Sequence, residues 1–151
     1  MSIDAQWKPH VGKVWASLHL VGFEMQPNEL TESLGLQPTF TDYRHVPATF
    51  APSGLVGAKD FGTWCYDTAS HVSSRDVGEH LRHLLKLFRP LKSHLEDLRP
   101  RPAIHVSIHY ESILVGSGVG PQVDPQCLAG LAELGASLSV AVIQINDVDD
   151  A

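Results

Sequence analysis

The sequence lacks most of the features that mark secreted or membrane-spanning proteins. Only two cysteines, Cys65 and Cys127, occur among its 151 residues, which excludes the framework of several disulfides found in small secreted domains. No apolar run is long enough to cross a bilayer. Residues 1–6 lack the basic and apolar regions of a signal peptide. We therefore expect a cytoplasmic protein with no membrane partner.

Basic residues are also scarce. The chain has 11 Lys and Arg against 17 Asp and Glu, a net charge of −6 with neutral histidines, and no basic run. Nucleic-acid binding requires a dense Lys/Arg surface, so we expect no nucleic-acid partner. The acidic tail with Asp147, Asp149 and Asp150 favours a protein partner with a basic surface instead.

What the chain does contain is typical of a globular protein. Hydrophobic residues make up 43% and charged residues 19%, and the length suits one domain. We predict a single domain over residues 1–151, with an ordered core over about 12–146 and the acidic tail over 147–151.

Two segments alternate apolar and polar residues as half-buried strands do, Val14 to Phe23 and Ala103 to Glu111. Further strands are predicted over Thr39 to His45, Thr63 to Thr68 and Leu138 to Ile145. The main helix is predicted to begin after Ser73 or Ser74 and to end or kink at Pro90. Two further helices run from Pro27 to Gly35 and from Pro125 to Gly135, and a short one carries Leu91, Leu95 and Leu98.

This order of elements predicts an α+β two-layer sandwich: a single mixed or antiparallel sheet, helices mainly on one face, broadly ferredoxin-like. Ser17 to Leu20 and Ser107 to Tyr110 each precede a helix that begins at proline and ends at glycine, which suggests duplicated β-α-β halves. The predicted core consists of Val14, Leu18, Leu20, Leu34, Leu81, Leu84, Leu85, Phe88, Ile104, Val106, Ile108, Leu128, Leu131 and Val140.

The strongest candidate for chemistry is a histidine-bearing sheet face. If the two alternating strands lie side by side, their polar residues project together: Ser17, His19, His105, Ser107 and His109. His105 and His109 are too far apart on one strand to share a metal alone, but His19 could join one of them, with Glu111 as an oxygen ligand. The alternative is a solvated face or the polar part of a dimer contact.

A second candidate is the loop from Val46 to Gly62, which is longer than most loops in compact domains. Arg44 precedes it, and Lys59 and Trp64 lie at its end. Basic groups beside an aromatic ring could bind an anionic small molecule or an acidic peptide. The alternative is a solvated loop with a structural tryptophan.

No catalytic motif is present. His80 and His83 lie three residues apart, whereas a zinc-protease helix needs histidines four apart, so we expect His80 to pack on the core. Gly116, Gly118 and Gly120 match neither phosphate-binding fingerprint. Cys65 would need a nearby histidine to act as a nucleophile. We assign no catalytic residue and no cofactor.

Three segments resemble the bacterial family named domain of unknown function 4279. They are Leu34-Gly-Leu-Gln-Pro-Thr39, Gly62-Thr-Trp64 and the helix Val77 to Leu85, in that order, followed by the unit Leu128 to Ile145. The resemblance covers about Val14 to Ile145. It implies a bacterial source but no activity and no catalytic residue. Since some bacterial families of this size act as antitoxin or immunity proteins, it also suggests an immunity-type role.

We therefore predict a non-catalytic binding or interaction protein, and carry a small-molecule or metal-binding domain as the alternative. The histidine-bearing face also holds Trp15, Val21 and Phe23, and monomers rarely expose a large apolar patch. We expect sheet-to-sheet homodimerisation, or cover by the Val46 to Gly62 loop. Either contact should loosen as histidines become protonated.

Overall fold

The computed structural model describes residues 10–47, 59–113 and 120–145. The strands in these ranges are β1 (His10–Phe23), β2 (Phe40–Val46), β3 (Lys59–Asp67), β4 (Ala103–Ile113) and β5 (Ser137–Ile145). The α-helices are α1 (Pro27–Leu34), α2 (Val77–Phe88), α3 (Lys92–Asp97) and α4 (Pro125–Glu133), and a 3-10 turn, Arg89–Leu91, joins α2 to α3. None of the helices in the described ranges is long and apolar enough to cross a membrane.

The strands form one five-stranded sheet in the order β2-β3-β1-β4-β5. β1 is antiparallel to both β3 and β4, β2 is antiparallel to β3, and β4 and β5 are parallel. β3 thus lies between β1 and β2, and β1 lies between β3 and β4. This is the ferredoxin-like arrangement of four strands, which α4 and β5 extend at one edge. The predicted two-layer α+β class is confirmed.

The two proposed halves differ in topology. β1 and β2 are separated by β3, whereas β4 and β5 are direct neighbours. The similar segments nevertheless lie side by side, because Ser17 is opposite Ser107 and His19 is opposite His105 in the central β1–β4 pair.

The core lies between the sheet and its helices. Every second residue of the central strands is buried there, and α2 contributes a stripe at helical spacing: Val14, Ala16, Leu18, Leu20, Val106, Ile108, Val77, Leu81, Leu84, Leu85 and Phe88. The predicted Ser73 or Ser74 cap of α2 is wrong. The Asp76 carboxylate accepts from the Gly78 N–H at 2.9 Å, and Ser74 Oγ instead accepts from the Asp76 N–H at 3.0 Å.

Two predicted core residues are exposed. Leu128 and Val140 are each 46% exposed. α4 turns Cys127, Leu131 and Leu134 toward the core, so Leu128 faces outward. Val140 lies on the edge strand, where helical cover ends.

The loop predicted over Val46 to Gly62 is shorter than expected, because β3 already begins at Lys59. β3 pairs with both β2 and β1. Lys59 lies opposite Val46, and Phe61 lies opposite Phe23. Residues 48–58, most of the glycine-rich turn (116–119) and the acidic tail lie outside the described residues.

Candidate functional site: the helix-free face of the sheet

The side of the sheet opposite the helices, called here the helix-free face, brings the predicted histidine cluster together. In the β1–β4 register, Trp15 lies opposite His109, Ser17 opposite Ser107 and His19 opposite His105. Side chains alternate along a strand, and the intervening residues of both strands are buried against the helices. The predicted sharing of one face is confirmed.

Hydrogen bonds link these side chains into a polar network. His19 Nε2 lies 3.2 Å from Ser107 Oγ, which lies 3.4 Å from His109 Nε2. His105 is held from the other side, with Nδ1 2.6 Å from Ser137 Oγ and Nε2 2.9 Å from Ser139 Oγ. Sequence reasoning missed these two serines. Their two-residue spacing in an otherwise apolar strand was the available signal.

Aromatic side chains flank the network. Trp15 stacks on His109 with ring centroids 4.7 Å apart, and Lys13 Nζ lies 5.1 Å from the Trp15 ring. Phe23 and Phe61 meet edge to face at 5.1 Å. Trp15, Phe23 and Phe61 all remain partly exposed. The centre of the face therefore combines uncharged polar groups with partly exposed aromatic side chains, and charged residues such as Asp67 and Arg44 share the face.

Two histidines of this face, His19 and His109, resist protonation. Partial burial lowers the pKa of His19 below its ordinary value of 6.5, and the nearby His105 and His109 lower it further. Burial also lowers the pKa of His109, against a smaller opposing effect of the Asp67 carboxylate. His19 and His109 are consequently neutral at pH 7.

The three predicted metal ligands share the face but do not converge on one point. The His19 and His105 rings are neighbours, with centroids 6.1 Å apart. Among the described residues, no group of three His, Cys, Asp or Glu side chains is placed to hold a metal ion. The rings of His19, His105 and His109 are engaged with serines instead.

Cys65 on β3 also faces this side, and its Sγ lies 4.0 Å from His19 Nε2. This is the contact that a cysteine nucleophile would need. However, burial and the Asp67 carboxylate raise the pKa of the Cys65 thiol to about 11. Since the thiolate is the reactive form, Cys65 is an unreactive thiol at neutral pH.

The predicted ligand site of Arg44, Lys59 and Trp64 is not assembled. Trp64 is fully buried on the helix side, where its Nε1–H donates to Thr31 Oγ1 at 3.1 Å. Arg44 and Lys59 lie on the helix-free face. Their cross-strand partners in the β2–β3 pair are Phe61 and Val46, which belong to that face. The tryptophan therefore has a structural role and cannot share a cleft with these two cations.

His80 belongs to the core, as predicted. It is fully buried on α2. Its Nε2 lies 2.7 Å from the Ser74 carbonyl oxygen, so that nitrogen donates, and Nδ1 accepts from the Thr68 hydroxyl at 2.5 Å. Thr68 Oγ1 in turn accepts from the Ala16 N–H at 3.0 Å. These bonds anchor α2 to β1.

The described residues of this face supply groups that are suited to binding. A serine–histidine nucleophile needs a third group that orients the imidazole. In the described part of the chain, no carboxylate is hydrogen-bonded to His19, His105 or His109. Hydroxyls, neutral imidazoles and an indole can still form hydrogen bonds and stacking contacts with a bound partner.

Comparison with protein-family models matches residues 10–144 to the family described as a domain of unknown function, DUF4279. The match covers most of the chain, so the chain belongs to this family. Neither curated proteins nor solved structures gave a match. Membership carries over no activity, and the helix-free face has to be interpreted from its own residues.

Proposed function

We propose that this DUF4279 member is a non-catalytic binding domain that holds a protein partner on the helix-free face of its sheet. The observation that carries the proposal is the combination of partly exposed Trp15, Phe23 and Phe61 with a neutral histidine–serine network on a face that no described helix covers. Accessible mixed surface of this kind is typical of interaction sites.

The composition of the face favours a protein over a small molecule. Protein interfaces are enriched in aromatic residues and depleted of charge at their centre. The accessible central positions here are His19 and His105, beside the buried Ser17, Ser107 and Cys65, and none of the five is a carboxylate, an ammonium or a guanidinium group. The face also forms part of a sheet and is not a deep cleft, whereas small ligands usually bind in concave sites.

The net charge of −6 favours a basic partner, because opposite charge speeds encounter and disfavours wrong partners. An immunity-type role, in which this protein occludes a basic toxin, is the form of the proposal that fits this charge. The low reactivity expected of Cys65 agrees with a function that needs no nucleophile.

Two matched histidine substitutions test the proposal. His105→Glu places a charge in the centre of the helix-free face, and His94→Glu places the same charge on the exposed α3. We expect quantitative capture from the native host to lose its specific partner with H105E and to keep it with H94E. Circular dichroism confirms that both variants are folded. Equal capture by both variants would contradict the proposal.

Metal binding by His19, His105 and His109 is the competing proposal, favoured by the 6.1 Å separation of the His19 and His105 rings. Rotation of these side chains would be required for a shared ion. Elemental analysis of untagged, natively purified protein tests it. If the protein contains a stoichiometric transition metal and H105A does not, metal binding replaces the protein-binding proposal. If the protein is free of metal, the metal-binding proposal is wrong.

A further inference from the structure

The outer edge of the sheet at β5 is long and uncharged. From Ser137 to Ile145 the strand reads Ser-Leu-Ser-Val-Ala-Val-Ile-Gln-Ile, without a charged residue, glycine or proline. β4 pairs with one side of β5, and no strand within the described ranges pairs with the other. Its outward backbone N–H and C=O groups form a template for another strand, which natural proteins usually block.

The opposite edge of the same sheet is blocked in this way. β2 carries Asp42, Arg44 and His45 within seven residues, and the Arg44 guanidinium pairs with the Asp42 carboxylate. Charged side chains on an edge strand discourage pairing with another chain. Within the described ranges, the β5 edge therefore has fewer features that discourage pairing than the β2 edge.

Exposed apolar side chains accompany the open edge. Val140 and Val142 are 46% and 48% exposed on the helix side of β5, and Ile143 is 45% exposed on the other side. Leu128 on α4 is also 46% exposed. Because α4 connects two parallel strands, it runs back along them, and Leu128 near its start lies toward the same end of the sheet as Val142.

We propose that β5 pairs antiparallel with β5 of a second copy of this chain, so that two sheets join into one. An uncharged strand can meet its own copy without like charges in contact, although each chain carries a charge of −6. A two-fold axis perpendicular to the sheet brings the exposed valines of both copies together, which makes the contact self-complementary. A charged partner would find no complementary charge along β5.

This pairing differs from stacking one helix-free face on another. Edge pairing keeps both helix layers on one side of the joined sheet and leaves both helix-free faces accessible. The helix-free faces of the two copies would thus lie side by side and form one binding surface. The inference rests on β5 alone and stands whether or not the helix-free face binds a protein.

Two edge substitutions test the inference by light scattering over a range of protein concentrations. Val142→Lys adds a charge at the open edge, and Phe40→Lys makes the same kind of change at the β2 edge, where Phe40 is 56% exposed. We expect wild type and F40K to be dimers and V142K to dissociate, with a dissociation constant raised about tenfold or more by facing lysines. Thr63→Lys, on the helix-free face opposite Val21 of β1, should remain a dimer.

Hydrogen exchange on wild-type protein gives a second readout that needs no variant. Amides of β5 should exchange more slowly as concentration rises through the dimerisation range, while amides of β2 stay unchanged. A wild type that stays monomeric at all concentrations would overturn the inference. So would a dimer disrupted by T63K or F40K and not by V142K, since it would form through another surface.

Discussion

Gly62 provides the sharpest test of the packing between β3 and the turn before α1. A Cβ added at Gly62 would lie 1.9 Å from the Met25 carbonyl oxygen. Real contacts of this kind are essentially never shorter than 3.0 Å, so β3 or the turn would have to move by about 1.1 Å. Gly62 is held in register between Gly22 and Tyr43 of two neighbouring strands, and Met25 is buried.

The cost of Gly62→Ala follows from this geometry. Overpacking in a rigid core typically costs about 1–3 kcal/mol, and backbone atoms relieve such a contact less readily than a flexible side chain does. We expect G62A to lower the free energy of unfolding by about 2 kcal/mol. For a protein of this size that corresponds to a fall in Tm of about 4–8 °C.

The opposite glycine supplies the matched control. Gly22 pairs directly with Gly62, but a Cβ there would meet its nearest atom, Met25 Cβ, at 3.8 Å. Gly22→Ala should leave stability unchanged or raise it by up to about 1 kcal/mol. Urea and thermal unfolding of the two variants measure the difference. A G62A protein as stable as G22A would refute the close approach.

The remaining predictions concern buried polar groups and titration. Thr68→Val should lower the free energy of unfolding by about 1–3 kcal/mol, because it leaves the Ala16 N–H without its acceptor. Thr68→Ser keeps the hydroxyl and should retain most of the stability, and urea unfolding of the two variants measures the difference. Cys65 in the folded protein should react slowly with a thiol reagent at pH 7, because its pKa is about 11, and it should react quickly after unfolding. If the folded protein is labelled fast and Cys65→Ser abolishes that labelling, Cys65 is an activated thiolate and the prediction is wrong. The pKa of His19 is lowered on folding from 6.5, so the unfolded chain takes up the proton first. Its contribution to stability is full above about pH 6.5 and is lost as pH falls below that value. His19→Gln should make unfolding less pH-dependent there, and an unchanged slope would contradict the assignment.

The motifs that identify the family are explained by packing. Gly35 ends α1 in a left-handed conformation with φ of 66° and donates its N–H to Thr31 O. Gly62 allows the approach of Met25, and Trp64 joins β3 to α1 through Thr31. These residues maintain the packing of the fold. The motifs therefore predicted the family and the architecture, and they indicated nothing about a ligand.

Strand parity was sufficient to predict the shared face of His19, His105 and His109, because alternation fixes which side each residue takes. It could not predict the contact between Cys65 and His19, which depends on β3 lying next to β1. Helical spacing placed Leu128 in the core and strand parity placed Val140 there, because an exposed apolar residue has the same local pattern as a buried one. The structure supports the structural alternative for Trp64, because a proline- and glycine-rich segment precedes it but its own side chain is buried on the helix side.

Site-specific crosslinking tests the central claim about the helix-free face most directly. A photoreactive amino acid is placed in native host cells at Ser139, which is exposed on that face, or at Glu79, which is exposed on α2. We expect position 139 to give a discrete adduct with a partner protein and position 79 to give none. Adducts from position 79 alone, equal adducts from both positions, or none from either would contradict the account.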